Sequence, residues 1–128
     1  MSGFVDPRDP VAVEQVIAAA LTALGPAAAL AQLSALLPVR SGRPGRLFRQ
    51  EQPMTIQVGE EALSLPSRGK PTLQHVVGGV VLSRDEVVPR ALPGVLASFV
   101  VRALEESGSH DDAAVLLTSL RDAVDAGR

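Results

Sequence analysis

A chain of 128 residues carrying a formal net charge of −2 is long enough for one domain that buries roughly two thirds of its unfolded surface. The absence of cysteine excludes disulfides, thiolate chemistry and cysteine-bound zinc. Eleven Arg stand against one Lys, Lys70, a skew explained by a GC-rich bacterial genome, and with no Trp or Tyr and only three Phe the recognition of single strands by stacked aromatics is disfavoured.

Residues 1–10 carry Asp6, Arg8, Asp9 and two prolines and lack the basic-then-apolar order of a secretion signal, so a cytoplasmic protein is expected. Asp9 is placed to cap a helix with Pro10 at its first position. Val13, Val16, Ile17, Ala20, Leu21 and Leu24 follow at helical spacing. Gly25 ends that helix and Pro26 starts a second, with Leu30, Leu33, Leu36 and Leu37 on its stripe and a stop at Pro38. Residues 10–37 are therefore expected to form a helical hairpin. The 25 uncharged residues 15–39 are long enough to cross a bilayer, but the Gly25 and Pro26 break sits at their centre, and Gln15, Thr22, Gln32 and Ser34 give each half a polar face. No membrane association is expected.

Residues 38–52 have no regular period, and Gly42, Pro44 and Gly45 mark a basic linker. Arg40, Arg43, Arg46 and Arg49 recur every third residue. In a polyproline II conformation they would form one ridge at roughly 9 Å intervals, suited to an acidic protein surface or to a phosphate backbone. Next, Met54, Ile56 and Val58 alternate, Gly59 and Glu60 offer a type II′ turn, and Leu63 and Leu65 alternate on the return. Opposing Val58 to Glu61 sets Ile56 against Leu63 and Met54 against Leu65 on one apolar face. Thr55 against Ser64 and Gln57 against Ala62 form the other.

Residues 72–82 admit two readings. Leu73, Val76, Val77, Val80 and Val81 match helical spacing, which favours a helix; the Val-rich run around Gly78 and Gly79 also suits a buried strand extending the hairpin sheet. Ser83 and Glu86 resemble a capping box for a short helical turn ended near Pro89. Pro93 starts a helix that turns Leu96, Phe99, Val100, Ala103 and Leu104 inward and closes at Gly108. Ser109 caps a last helix with Asp111 and Asp112 in its first turn and Leu116, Leu117, Leu120 and Val124 on its stripe.

The sum is a mainly α (α+β) single small domain: a helical hairpin over 10–37, an Arg-rich linker over 38–52, then one β-hairpin and about three further helices over 53–128. Candidate chemistry is sparse. Neither histidine, His75 or His110, is placed by sequence against a nucleophile. Gly69 and Lys70 lack the rest of a phosphate-binding loop. Glu105, Glu106, Asp111 and Asp112 gather around one helix-to-helix turn without a calcium-loop spacing. No catalytic, metal or cofactor residues are assigned, and no cofactor is expected.

The reading is a non-enzymatic protein–protein interaction or assembly module of a small cytosolic bacterial protein, with Arg40, Arg43, Arg46 and Arg49 as partner-binding candidates and a protein partner or a second copy as the occupant. One alternative is a nucleic-acid-associated protein using the arginine arm. Outside those four arginines, however, eight basic residues face fourteen acidic ones, so no general nucleic-acid footprint exists. A second alternative is an enzyme with a carboxylate or histidine site.

Overall fold

The computed structural model describes residues 5–37, the backbone of 39–40, 54–66 and 70–126. They form two compact units, one of Met1–Leu36 with Pro93–Arg128, the other of Leu37–Leu92. The mixed α+β class read from the sequence is the class observed.

The first unit is helical. Helix α1 spans Pro10–Leu24, with the Asp9 carboxylate accepting from the Val11 amide at 3.1 Å, which satisfies one of the amides a helix start leaves unbonded. Its buried Val13, Val16, Ile17 and Ala20 recur at three- and one-residue steps, one face of the helix. Gly25, at φ +87, takes the left-handed conformation that a side chain resists and donates its amide to the Leu21 carbonyl. Helix α2, Pro26–Leu33, is shorter than the expected run to Leu37. The Ser34 hydroxyl donates to the Ala31 carbonyl and the Leu36 amide to that of Leu33, tightening the chain into a turn where a longer helix would continue.

Helix α3 spans Leu92–Ser107 and α4 His110–Ala126, joined through Gly108 at φ +72. Buried Leu96, Phe99, Val100 and Leu104 line α3; Ala113, Leu117, Leu120 and Val124 line α4. The α1 helix packs against both α2 and α4. The leading segment is tied in by the Val5 amide, which donates to Thr118 Oγ1 at 2.9 Å. The Arg102 guanidinium lies 5.1 Å from the Phe99 ring centre, within cation–π range.

The second unit is an antiparallel sheet of strands β1 (Val39–Arg40), β2 (Met54–Val58), β3 (Glu61–Leu65), β4 (Thr72–Val77) and β5 (Val80–Glu86), in that spatial order. The β2–β3 register is the one derived above, from Val58 opposite Glu61 to Met54 opposite Leu65. Gly59 at φ +59, with no positive φ at Glu60, has the signs of a type II′ turn. Ile56, Val58 and Leu63 are buried on the apolar face, while Met54 and Leu65 are half-buried. On the polar face Ala62 is also buried.

Residues 72–82 are strands, which corrects the helix favoured for them. Gly78 and Gly79, at φ +58 and +81, form the two-residue turn of a second hairpin, both positive as in type I′. The coincidence with a helical period arises because two Val pairs flank a two-residue turn: Val77 and Val80 are three apart and Val76 and Val81 five apart, yet each pair is cross-strand. Ser83 and Glu86 likewise belong to β5, where Ser83 opposes His75 and Glu86 opposes Thr72, so they cap nothing. Two long helices and a single 3-10 turn at Pro89–Ala91 thus stand where three helices were expected. Within the expected linker, Val39 and Arg40 pair with Ile56 and Thr55.

Candidate functional site

The structure draws attention to the β4–β5 hairpin. Strand β3 supports β4 only from Thr72 to His75, and the Val76 amide makes a last bond to the Glu60 carbonyl at 2.6 Å. Beyond that point, among the described strands, residues 77–82 pair only within this hairpin. Between His75 and Ser83 the register shifts so that Val76 opposes Val81, leaving Leu82 as the extra residue of a bulge, a device that adds twist and re-aims side chains at sheet edges.

The side chains at this end are apolar and in water: Val77 is 40% exposed, Val80 60%, Val81 37% and Leu82 61%. Burying such a side chain is worth about 1.5–3 kcal/mol, and exposed apolar side chains gathered at one hairpin end suit an interaction site, with Val77 and Val80 on one face and Val81 on the other. Sequence favours an extended hairpin here despite the cost, because β-branched Val resists helix and two adjacent glycines supply the turn. Strand β5 is the last in the sheet and exposed along its whole length. Along this edge one half carries the charges Arg84, Asp85 and Glu86, of mixed sign, and the other half the apolar Val80, Val81 and Leu82.

Along the hairpin the groups are mixed in charge. His75 Nε2 lies 3.6 Å from Glu60 Oε2, and Lys70 Nζ 3.7 Å from Glu86 Oε2, all four side chains well exposed. Pairs this open to solvent hold geometry weakly, and the His75 side chain is 44% exposed on strand β4.

The helical unit carries an open groove of about 640 Å³ between the end of α1, α2 and α4, lined by Leu24, Gln32, Asp112, Val115, Leu116 and Leu120 among others. Asp112 is its one charged lining group, which offers no acid–base pair.

Of the residues singled out from the sequence, Arg43, Arg46 and Arg49 lie outside the described residues. Arg40 is placed by its backbone at the end of β1, opposite Thr55. Glu105 and Glu106 are exposed near the end of α3, Asp111 and Asp112 exposed at the start of α4, and His110 is the first residue of α4. Among the described residues no group of three or more His, Asp or Glu is arranged to hold a metal ion, and no helix is long and apolar enough to cross a membrane. The residues that sequence reasoning passed over are Val77, Val80, Val81 and Leu82. Their signal was the Val-Val-Gly-Gly-Val-Val order, legible as a hairpin end once both glycines are given to the turn.

No protein-family model matches this chain, and neither the curated proteins nor the solved structures searched contain a significant match.

Proposed function

We propose that this chain is a non-enzymatic interaction or assembly module of the cytoplasm and that it engages a protein through the β4–β5 hairpin. The observation that carries the reading is the run of exposed Val77, Val80, Val81 and Leu82 on a hairpin end that extends beyond the pairing of β3 with β4. Charge argues for protein over lipid as the surface met: Glu60, Glu61, Asp85 and Glu86 surround the hairpin with more negative than positive groups, and anionic bilayers attract basic segments. The cysteine-free composition suits a reducing compartment. In this reading the arginines at 40, 43, 46 and 49 add basic charge that an acidic partner surface would favour.

The test is a Val80→Thr, Leu82→Thr double variant, which keeps β propensity and removes apolar surface. Cross-linking of the full chain in the native host should trap the wild type at a mass above that of one chain, and the variant, with unchanged melting temperature, at the mass of one chain. Identical masses for both would overturn the reading.

A further inference from the structure

The open edge of β5 carries a pattern that is complementary to itself. The Val87 amide donates inward to the Pro71 carbonyl at 2.8 Å. In an antiparallel ladder, residues bonded toward one neighbouring strand alternate with residues whose amide and carbonyl face the other way. The backbone groups of Arg84, Glu86 and Val88 therefore face away from β4, and β5 is the outermost strand on that side. Val88 continues the extended conformation at φ −68 and ψ 148.

Every second residue along the regular part of this edge runs basic, acidic, apolar, Arg84, Glu86, Val88, and the bulge residue Leu82 precedes them. All four are exposed, Leu82 at 61% and Val88 at 44%. The geometry points to a second copy of this chain as the partner of β5, the two sheets joining edge to edge about a two-fold axis at Asp85. That register sets Arg84 opposite Glu86 of the second copy and Glu86 opposite its Arg84, the two pairs that lie within the regular part of the strand. It also makes Arg84 and Glu86, whose backbone groups face outward, the pair that exchanges amide-to-carbonyl bonds. A two-fold perpendicular to the sheet must pass through a residue so that each side chain keeps its face. Centring on Ser83 would oppose Leu82 to Arg84 and Val80 to Glu86; centring on Arg84 would oppose the two arginines. Only the Asp85 centre matches the charges. Glu86 keeps its contact with Lys70 in this arrangement, because a carboxylate offers two acceptor oxygens.

The same axis opposes Asp85 to Asp85 of the second copy, and like charges directly opposite are unfavourable. The pairing is consequently of the weak, reversible class, since it uses one short strand from each side. This inference rests on the interaction-module reading and names its partner.

Sedimentation equilibrium of the full chain from low to high micromolar concentration tests it. The wild type should show a monomer–dimer equilibrium. Arg84→Glu alone, or Glu86→Arg alone, sets two like-charged pairs in each dimer and should weaken association by at least about tenfold. An equimolar mixture of these two variants restores both ion pairs, solely in the mixed dimer, and should recover association, as should the variant carrying both changes. Asp85→Asn should tighten it. A wild type that stays monomeric, or a dimer indifferent to both single charge changes, overturns the pairing. In that event the host cross-linking described above separates the causes: a complex with another protein, lost on Val80→Thr and Leu82→Thr, leaves the module reading standing with a different partner, and the absence of any such complex overturns both.

Discussion

Val77 and Val80 oppose each other across Gly78 and Gly79 as the closing pair of the β4–β5 hairpin, and both are exposed. Ile56 and Leu63 form a comparable cross-strand pair on β2 and β3 and are fully buried. Two pairs of similar chemistry thus have opposite surroundings. Replacing Ile56 by Ala should lower unfolding free energy by about 2–5 kcal/mol, through lost transfer energy plus a cavity. Val80→Thr should stay within about 0.5 kcal/mol. Urea denaturation measures both; a small effect at Ile56 would show that its face is not packed.

The turn itself is tested at Gly79. Its φ is +81 and nothing lies within 4 Å of where a Cβ would stand, so Ala there meets no neighbour and costs only the left-handed backbone, about 1–2 kcal/mol. The loss should appear in thermal denaturation. No loss would mean that residues 78–79 do not form this turn.

Glycine at position 94 predicts the opposite sign. A Cβ there would stand 3.1 Å from Glu14 Oε1, the end of a flexible and exposed side chain that rotates away at little cost. Gly94→Ala should raise stability by about 0.4–1 kcal/mol, because Ala loses less backbone freedom in helix α3. A fall in melting temperature would place Glu14 or the start of α3 differently.

The arginine series separates the module reading from its nucleic-acid rival. Exchanging Arg40, Arg43, Arg46 and Arg49 for Gln should leave circular dichroism unchanged, and the wild type should bind a generic duplex negligibly at physiological salt. Micromolar binding with a salt slope implying about three or four phosphate contacts, lost in the quadruple variant, would assign the arm to nucleic acid.

How far the sequence could be read varied with how local the determinants are. Helix α1 was legible because Asp9, Pro10 and the Val13, Val16, Ile17 spacing all lie within its own span. The β2–β3 register was legible because Gly59 and Glu60 fix it by turn geometry and strict alternation follows on both sides. Residues 72–82 misled because the same five apolar positions satisfy a helical stripe and a hairpin, and the arbitrating fact, positive φ at both glycines, is conformational. The exposed hairpin end was hidden by that misreading: on a helix Val76, Val77, Val80 and Val81 form a stripe to be buried, whereas on β4 and β5 they sit beyond the reach of β3. The arginine arm, the one candidate named from sequence, falls where only Arg40 is described, by its backbone.

The helical unit is assembled from the two ends of the chain, Met1–Leu36 and Pro93–Arg128, while the sheet occupies the continuous stretch Leu37–Leu92. During synthesis the sheet segment is complete before α4 exists. Helix α1 must therefore wait on the ribosome lacking its α4 partner, and the bond from the Val5 amide to Thr118, 113 residues apart, can close only after Thr118 has emerged. Contacts of such separation carry a large loop-closure cost and form late. The helical unit is thus the last part of these two units to fold, and removing α4 should strand α1 as an aggregation-prone amphipathic helix.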